Sequence, residues 1–171
     1  MSLDEELCLR KKVALLAHEA LLGIYYTASC LRKKASEFLR PFGLTDVQFN
    51  LMMLLGYQSG EEEGLSQAKL SNMMLVNRAN ITSLIDRMEK ANFVIRIPAP
   101  SDRRSNIVKL TSRGKKLLAQ IEPLYTKEVK RIMAVLKQAE QKTLIIMLEK
   151  IRGNISEQNK SKTRNVSFVG V

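Results

Sequence analysis

Two short β-branched runs limit what this chain can fold into. Phe93–Ile97 (Phe-Val-Ile-Arg-Ile) and Ile107–Leu110 (Ile-Val-Lys-Leu) read as strands, joined by the polar connector Pro98-Ala-Pro-Ser-Asp-Arg-Arg-Ser-Asn106. Elsewhere the apolar residues recur at spacings of three and four, the period of helices. Adjacent strands with a polar connector make a hairpin, so the expectation is a mainly α protein carrying one small β-hairpin.

The helices can be placed from their stripes and caps. From Leu7 to about Leu39 the chain reads as one long helix, with Val13, Leu16, Ala20, Ile24, Ala28 and Leu31 on one stripe. Leu15, Leu21, Leu22, Tyr25 and Tyr26 lie off that stripe, so this helix needs more than one neighbour to bury it. It should stop at Arg40-Pro41-Phe42-Gly43, because proline lacks an amide donor and disfavours helical geometry in the residue before it. Thr45 is a good N-cap for the next helix, with Gln48 at the capping-box position and Phe49, Met52 and Met53 facing inward. After the acidic turn Ser59–Gly64, Ser66 caps a short helix carrying Leu70, Met73 and Met74, and a brief break at Leu75-Val76-Asn77 leads to a helix over Arg78 to about Asn92. Beyond the hairpin, Thr111 caps a helix with Leu118, Ile121 and Ile132 on its stripe, which Pro123 should kink or interrupt. A last helix is expected from Gln138 to about Ile155, then a polar tail from Glu157 to Val171. Two short helices joined by a tight turn and followed directly by a basic hairpin describe a winged helix-turn-helix.

Composition narrows the function. The 171 residues are 45% hydrophobic and 26% charged, which is globular, and no run of about 18 uncharged apolar residues crosses a membrane. The acidic start, Asp4-Glu5-Glu6, is unlike a secretory signal, and two cysteines, Cys8 and Cys30, are too few for a disulfide framework, so the expected setting is the cytoplasm. One histidine and two cysteines also fall short of the usual zinc sites. With neither a phosphate-binding glycine loop nor a nucleophile motif, an enzyme is not expected and no cofactor or metal is assigned. The net charge of +11 is unevenly spread: residues 64–116 hold 11 basic and 3 acidic side chains, whereas residues 1–63 hold 7 and 9. A focused basic region of this kind attracts polyanions, nucleic acid foremost, by counterion release.

The helix Arg78–Asn92 carries the sharper signal. At 100° per residue, Ile81, Leu84, Ile85 and Met88 share one quadrant, which must be the buried side. The opposite side shows Ala79, Ser83, Asp86 and Lys90, flanked by Asn80, Thr82 and Arg87. Small, hydrogen-bonding side chains let a helix approach the floor of a major groove, and Asn77 and Arg78 at its start add dipole-favoured contacts to phosphate or base edges. An ordinary solvated helix face is the plain alternative. In the hairpin connector, Arg103 and Arg104 suit a narrow minor groove, and Asp102 could hold an arginine in one rotamer through a carboxylate fork. Its plain alternative is a surface ion pair worth about 0–1 kcal/mol.

At these residues the sequence resembles the MarR (multiple-antibiotic-resistance regulator) family. The matching segments are Leu44-Thr-Asp-Val-Gln-Phe49, Asn77–Glu89, and Asp102–Gly114, the last following the family's D-x-R-x-x-x-V-x-L-T-x-x-G pattern through Asp102, Arg104, Val108, Leu110, Thr111 and Gly114. The resemblance implies a homodimeric transcriptional regulator, usually a repressor, that binds a pseudopalindromic operator in double-stranded DNA. It places the 78–92 helix in the major groove and the wing, residues 94–110, in the minor groove, Arg104 reaching in with Asp102 in support. It also implies dimerisation helices at both ends, giving residues 1–40 (N-terminal dimerisation), 41–114 (winged helix-turn-helix), 115–156 (C-terminal dimerisation) and 157–171 (tail). The surplus of apolar surface on the terminal helices independently asks for a partner, most commonly a second copy. Family members commonly answer to a small phenolic or lipophilic effector in a cleft between dimer helices and winged domain, near which Tyr25, Tyr26 and Phe49 fall by position. On a single helix Cys8 and Cys30 would stand about 33 Å apart and could not bridge. The alternative reading is a winged-helix module for protein–protein contact without specific DNA binding, which Asp86 on the exposed face favours.

Overall fold

The computed structural model describes residues 3–8, 13–60, 64–74, 78–99 and 106–166. The elements run α1 (Leu3–Glu6), α2 (Leu16–Leu39), a 3-10 turn (Arg40–Phe42), α3 (Asp46–Tyr57), β1 (Leu65–Ser66), α4 (Gln67–Met74), α5 (Arg78–Lys90), β2 (Val94–Pro98), β3 (Asn106–Leu110), α6 (Ser112–Met133) and α7 (Gln138–Val166). The expected order of helices around one hairpin is present. The chain divides into two compact units, residues 1–119 and 120–171.

The first unit holds the winged helix-turn-helix. The α2 end is built as its sequence requires. Pro41 is the second residue of the 3-10 turn, and Gly43 sits at φ 68, the left-handed region that costs glycine no Cβ clash. The Gly43 amide donates to the Arg40 carbonyl at 3.0 Å and the Leu44 amide to that of Leu39 at 3.4 Å. Leu39 and Leu44 are both buried. Thr45 then forms the expected capping box: the Gln48 amide donates to Thr45 Oγ1 at 3.3 Å, and the Thr45 amide to Gln48 Oε1 at 2.9 Å. α3 buries Phe49, Leu51, Met52 and Leu55, and packs against α2, α4 and β3.

The hairpin is antiparallel with Val94 opposite Leu110, Arg96 opposite Val108 and Pro98 opposite Asn106. A third strand, β1, pairs with the other edge of β3 through Leu65–Val108 and Ser66–Ile107, giving the order β1-β3-β2. Two residues are too few to show an alternating pattern, so this strand leaves no sequence signal of its own. Ser66 nevertheless caps α4 as expected, accepting from the Lys69 amide at 3.2 Å. Leu70 and Ser71 are the buried residues of α4, and Met73 is exposed.

Three helix expectations are corrected. The first helix does not run from Leu7: α1 ends at Glu6, Cys8 takes φ 51, and α2 starts at Leu16 without a side-chain cap. α6 continues through Pro123 without interruption. Proline deprives the carbonyl four residues earlier of its donor, and both Ala119, which bears that carbonyl, and Pro123 are exposed. α7 reaches Val166 rather than ending near Ile155, because Ser156 to Asn165 contains neither proline nor glycine to stop it.

In the second unit the turn between helices is closed by side chains. The Gln141 carboxamide donates to the carbonyls of Leu136 (2.9 Å) and Met133 (3.2 Å), and the Lys137 amide donates to Glu140 Oε2 at 2.6 Å. Among described residues 120–158, Ile121 alone is fully buried, whereas Leu124, Val129, Val135, Ile145, Ile146, Met147, Ile151 and Ile155 are exposed. No helix of the described residues is long and apolar enough to cross a membrane.

Candidate nucleic-acid interface

α5 is a two-faced helix. Ile81, Leu84, Ile85 and Met88 are exposed by 1, 3, 0 and 0%, each contributing about 1.5–3 kcal/mol of transfer free energy to hold the helix against its domain. Asn80, Thr82, Ser83, Asp86, Arg87 and Lys90 lie on the exposed side. The helix ends at Lys90, and two residues on Asn92 adopts φ 56; asparagine is among the few residues that enter this region readily. That turn lets the Phe93 amide reach back to the Met88 carbonyl at 2.9 Å and sends the chain directly into β2.

The junction of α5, hairpin and α6 is tied at Thr111. Its hydroxyl donates to the Asn92 carbonyl at 2.7 Å and accepts from the Gly114 amide at 3.0 Å. Its own amide donates to the Phe93 carbonyl at 3.1 Å. A Cβ on Gly114 would stand 2.1 Å from the Phe93 carbonyl oxygen, so this position admits only glycine without a backbone shift. The Arg113 guanidinium lies over the Phe93 ring, 5.2 Å from its centroid, within cation–π range. The Leu-Thr-x-x-Gly part of the sequence pattern is thus a joint that sets where the hairpin leaves the domain.

A second joint was not foreseen from the sequence. Arg96, on β2, donates from Nη1 to Glu89 Oε2 at 2.5 Å and from Nη2 to Asp86 Oδ1 at 2.6 Å. Nη2 also lies 3.4 Å from the Thr82 carbonyl, and the Arg96 amide donates to Glu89 Oε1 at 2.9 Å. With the Gln67 carboxamide turned oxygen-inward, that oxygen accepts from Arg96 Nε at 2.9 Å and from Nη2 at 3.2 Å. One guanidinium therefore links α4, α5 and β2, beside a cleft of about 410 Å³ bordered by Ser66, Gln67, Thr82, Arg96 and Asn106. Asp86 and Glu89 are the acidic residues among the described part of 64–116, and both are bound to Arg96. The signal available beforehand was a lone arginine in a β-branched strand and an i,i+3 acid pair on a helix otherwise small and basic.

The sequence-derived site residues fall as follows. Asn80, Thr82, Ser83 and Arg87 share the exposed side of α5, which Arg78 opens. Asn77, Asp102, Arg103 and Arg104 lie outside the described residues. Phe49 is 4% exposed and belongs to the core, whereas Tyr25, at 62%, stands open on α2. The Tyr26 phenol is held above its ordinary value, first by charge at Cys30, then by burial, by Glu6, by its hydrogen bond with Cys30 and by Cys8. Because Cys8 lies outside α2, the separation expected on one continuous helix does not apply to Cys8 and Cys30. Both cysteines are free and exposed. Among the described residues no group of three His, Cys, Asp or Glu side chains could hold a metal ion.

Comparison with known proteins places these features in a family context. A sequence model of the MarR family matches residues 44–106. The chain is 32% identical over 136 residues to the uncharacterized HTH-type transcriptional regulator YkoM of Bacillus subtilis, covering 77% of this chain and 86% of that protein. It is 31% identical over 138 residues to the HTH-type transcriptional repressor Rv2887 of Mycobacterium tuberculosis, covering 80% and 96%. Among solved structures, a mutant of MarR from E. coli complexed with operator DNA superposes with a TM-score of 0.70 at 24% identity, covering 81% of this chain and 99% of that one.

Proposed function

The chain belongs to the MarR family of transcriptional regulators, and from that premise we propose that two copies act together as a sequence-specific DNA-binding repressor. α5 enters the major groove, with Asn77, Arg78, Asn80, Thr82, Ser83 and Arg87 as its contacts, and the wing reaches the minor groove through Arg103 and Arg104, with Asp102 supporting them. The observation that carries this reading is the face of α5: short hydrogen-bonding side chains are exposed opposite four buried apolar ones, and the two acids beside them are bound to Arg96. A helix so dressed can approach base edges closely without presenting unpaired negative charge to phosphate. Asp86, which favoured a protein-binding module, is engaged by Arg96 and no longer argues for it.

Residues 41–114 serve as the reading unit and 1–40 and 115–156 as the dimerisation segments, with 157–171 as a tail. Leu16 and Tyr25 on α2, and Ile145, Ile146, Met147 and Ile151 on α7, are apolar and exposed in the single chain. Faces of that kind are ordinarily covered by a second subunit. A two-fold dimer would present its reading helices about 34 Å apart, one turn of DNA, to a pseudopalindromic site. A small phenolic or lipophilic effector would meet Tyr25 and Tyr26 on α2, whereas Phe49 is buried in the core and offers it little surface. The reading describes a binding protein rather than an enzyme, working in the cytoplasm, where its DNA is.

The test is a fluorescence-anisotropy titration against a duplex selected by the chain from a random pool. A dimer that neutralises about 6–10 phosphates should lose about 10³–10⁵ in affinity between 50 and 200 mM salt. An affinity that holds constant over that range overturns the reading.

A further inference from the structure

The contacts of Arg96 join two things that a DNA reader must control: the angle of its helix and the sign of the charge on that helix's face. Asp86 lies on the exposed side of α5 with half of its side chain open to solvent, where a bare carboxylate would confront phosphate. Arg96 covers it from β2 while holding Glu89 with both its side chain and its own amide, and while bonding Gln67 of α4. Each bond fixes a different direction. Glu89 and Asp86, one helical turn apart, set the rotation of α5 about its axis relative to the hairpin. Gln67 sets the spacing of the two helices of the helix-turn-helix. Only a planar fork with several donors can serve all of these at once; an ammonium is a point charge without that geometry.

We propose that Arg96 is a positioning residue for sequence reading: it holds α5 at one angle to the wing and cancels the Asp86 carboxylate on the reading face. The proposal rests on the DNA-binding assignment above and deepens it. With only 20% of its side chain exposed, Arg96 acts through Asp86, Glu89 and Gln67 rather than as a phosphate contact. Its loss should therefore erode discrimination between sequences more than general affinity, since base-edge bonds depend on angle and phosphate attraction does not.

The experiment measures binding of the full chain to two duplexes of equal length, one selected from a random pool by the unaltered protein and one scrambled, across a salt series. Arg96→Lys keeps the charge and loses the fork. It should bind the scrambled duplex within about threefold of the unaltered chain with the same salt slope. Its affinity for the selected duplex should fall about tenfold or more, the scale of one misread base pair. Asp86→Asn should lower the ratio less and leave scrambled binding undiminished. Thermal melting establishes the temperature at which all variants are folded. If Arg96→Lys is unfolded there, the double variant Asp86→Asn with Glu89→Gln, which leaves Arg96 without charged partners, takes its place with the same expected loss of ratio. A folded variant that retains the ratio, or that loses both affinities in parallel, overturns this proposal alone. An unaltered chain that binds neither duplex in a salt-dependent way overturns the DNA-binding assignment and this proposal with it.

Discussion

Gly114 shows how one position can decide a joint. Its amide caps onto Thr111 while the Phe93 carbonyl passes so close that a Cβ would stand 2.1 Å from the oxygen. Gly114→Ala should lower stability by about 3 kcal/mol, the upper end of what overpacking costs, because the obstructing atom is backbone and cannot rotate away. Urea denaturation checks this, and a variant as stable as the parent would show that the joint is soft. Arg87, by contrast, is exposed on α5 and bears no part in the core. Arg87→Ala should leave the melting temperature within a degree or two and reduce the salt slope of DNA binding by about 2, as expected when each of two copies loses one phosphate contact. Equal slopes for variant and parent would remove Arg87 from the interface.

At the scale of elements, α5 and the hairpin are made differently. α5 is set by local pattern: four apolar residues at helical spacing choose its buried side and leave Ser83 and Thr82 outward. Ser83→Leu should therefore fold with unchanged melting temperature yet bind the selected duplex at least tenfold more weakly, since a longer side chain holds the helix off the groove floor. Unimpaired binding by that variant would move the reading face elsewhere on the domain. On the role proposed for the wing, Arg104→Ala should weaken binding markedly with little loss of stability; early melting would make Arg104 structural instead. The buried face of α5, the capping box at Thr45 and the strands of the hairpin were all readable from sequence, because each depends on neighbours within about one turn or one strand. β1 was not, since two residues become a strand only when β3 arrives beside them.

For the whole molecule, the apolar faces of the terminal helices are the governing feature. In one chain Ile146 and Ile151 of α7 are 51% and 42% exposed, an arrangement that water penalises and that the proposed second subunit would relieve. Replacing both by glutamate should convert a dimer into a monomer by sedimentation at micromolar concentration. Affinity for a pseudopalindromic duplex should fall with it, because a single reading head loses the linkage to the second half-site. A chain that sediments as a monomer before substitution would refute the paired arrangement.

Apart from where the first and last helices start and stop, the sequence by itself determined the buried face of α5, the caps at Thr45, Ser66 and Thr111, the two strands of the hairpin, and a small, polar and basic outer side on α5. These are consequences of short-range periodicity and side-chain chemistry. Tertiary structure alone decided that α1 and α2 are separate, that Gly114 is required by the Phe93 carbonyl, and that Arg96 binds Asp86, Glu89 and Gln67. Those facts concern atoms brought together by packing across turns, and an arginine in a strand carries no mark of the carboxylates it will meet until the helix has docked beside it.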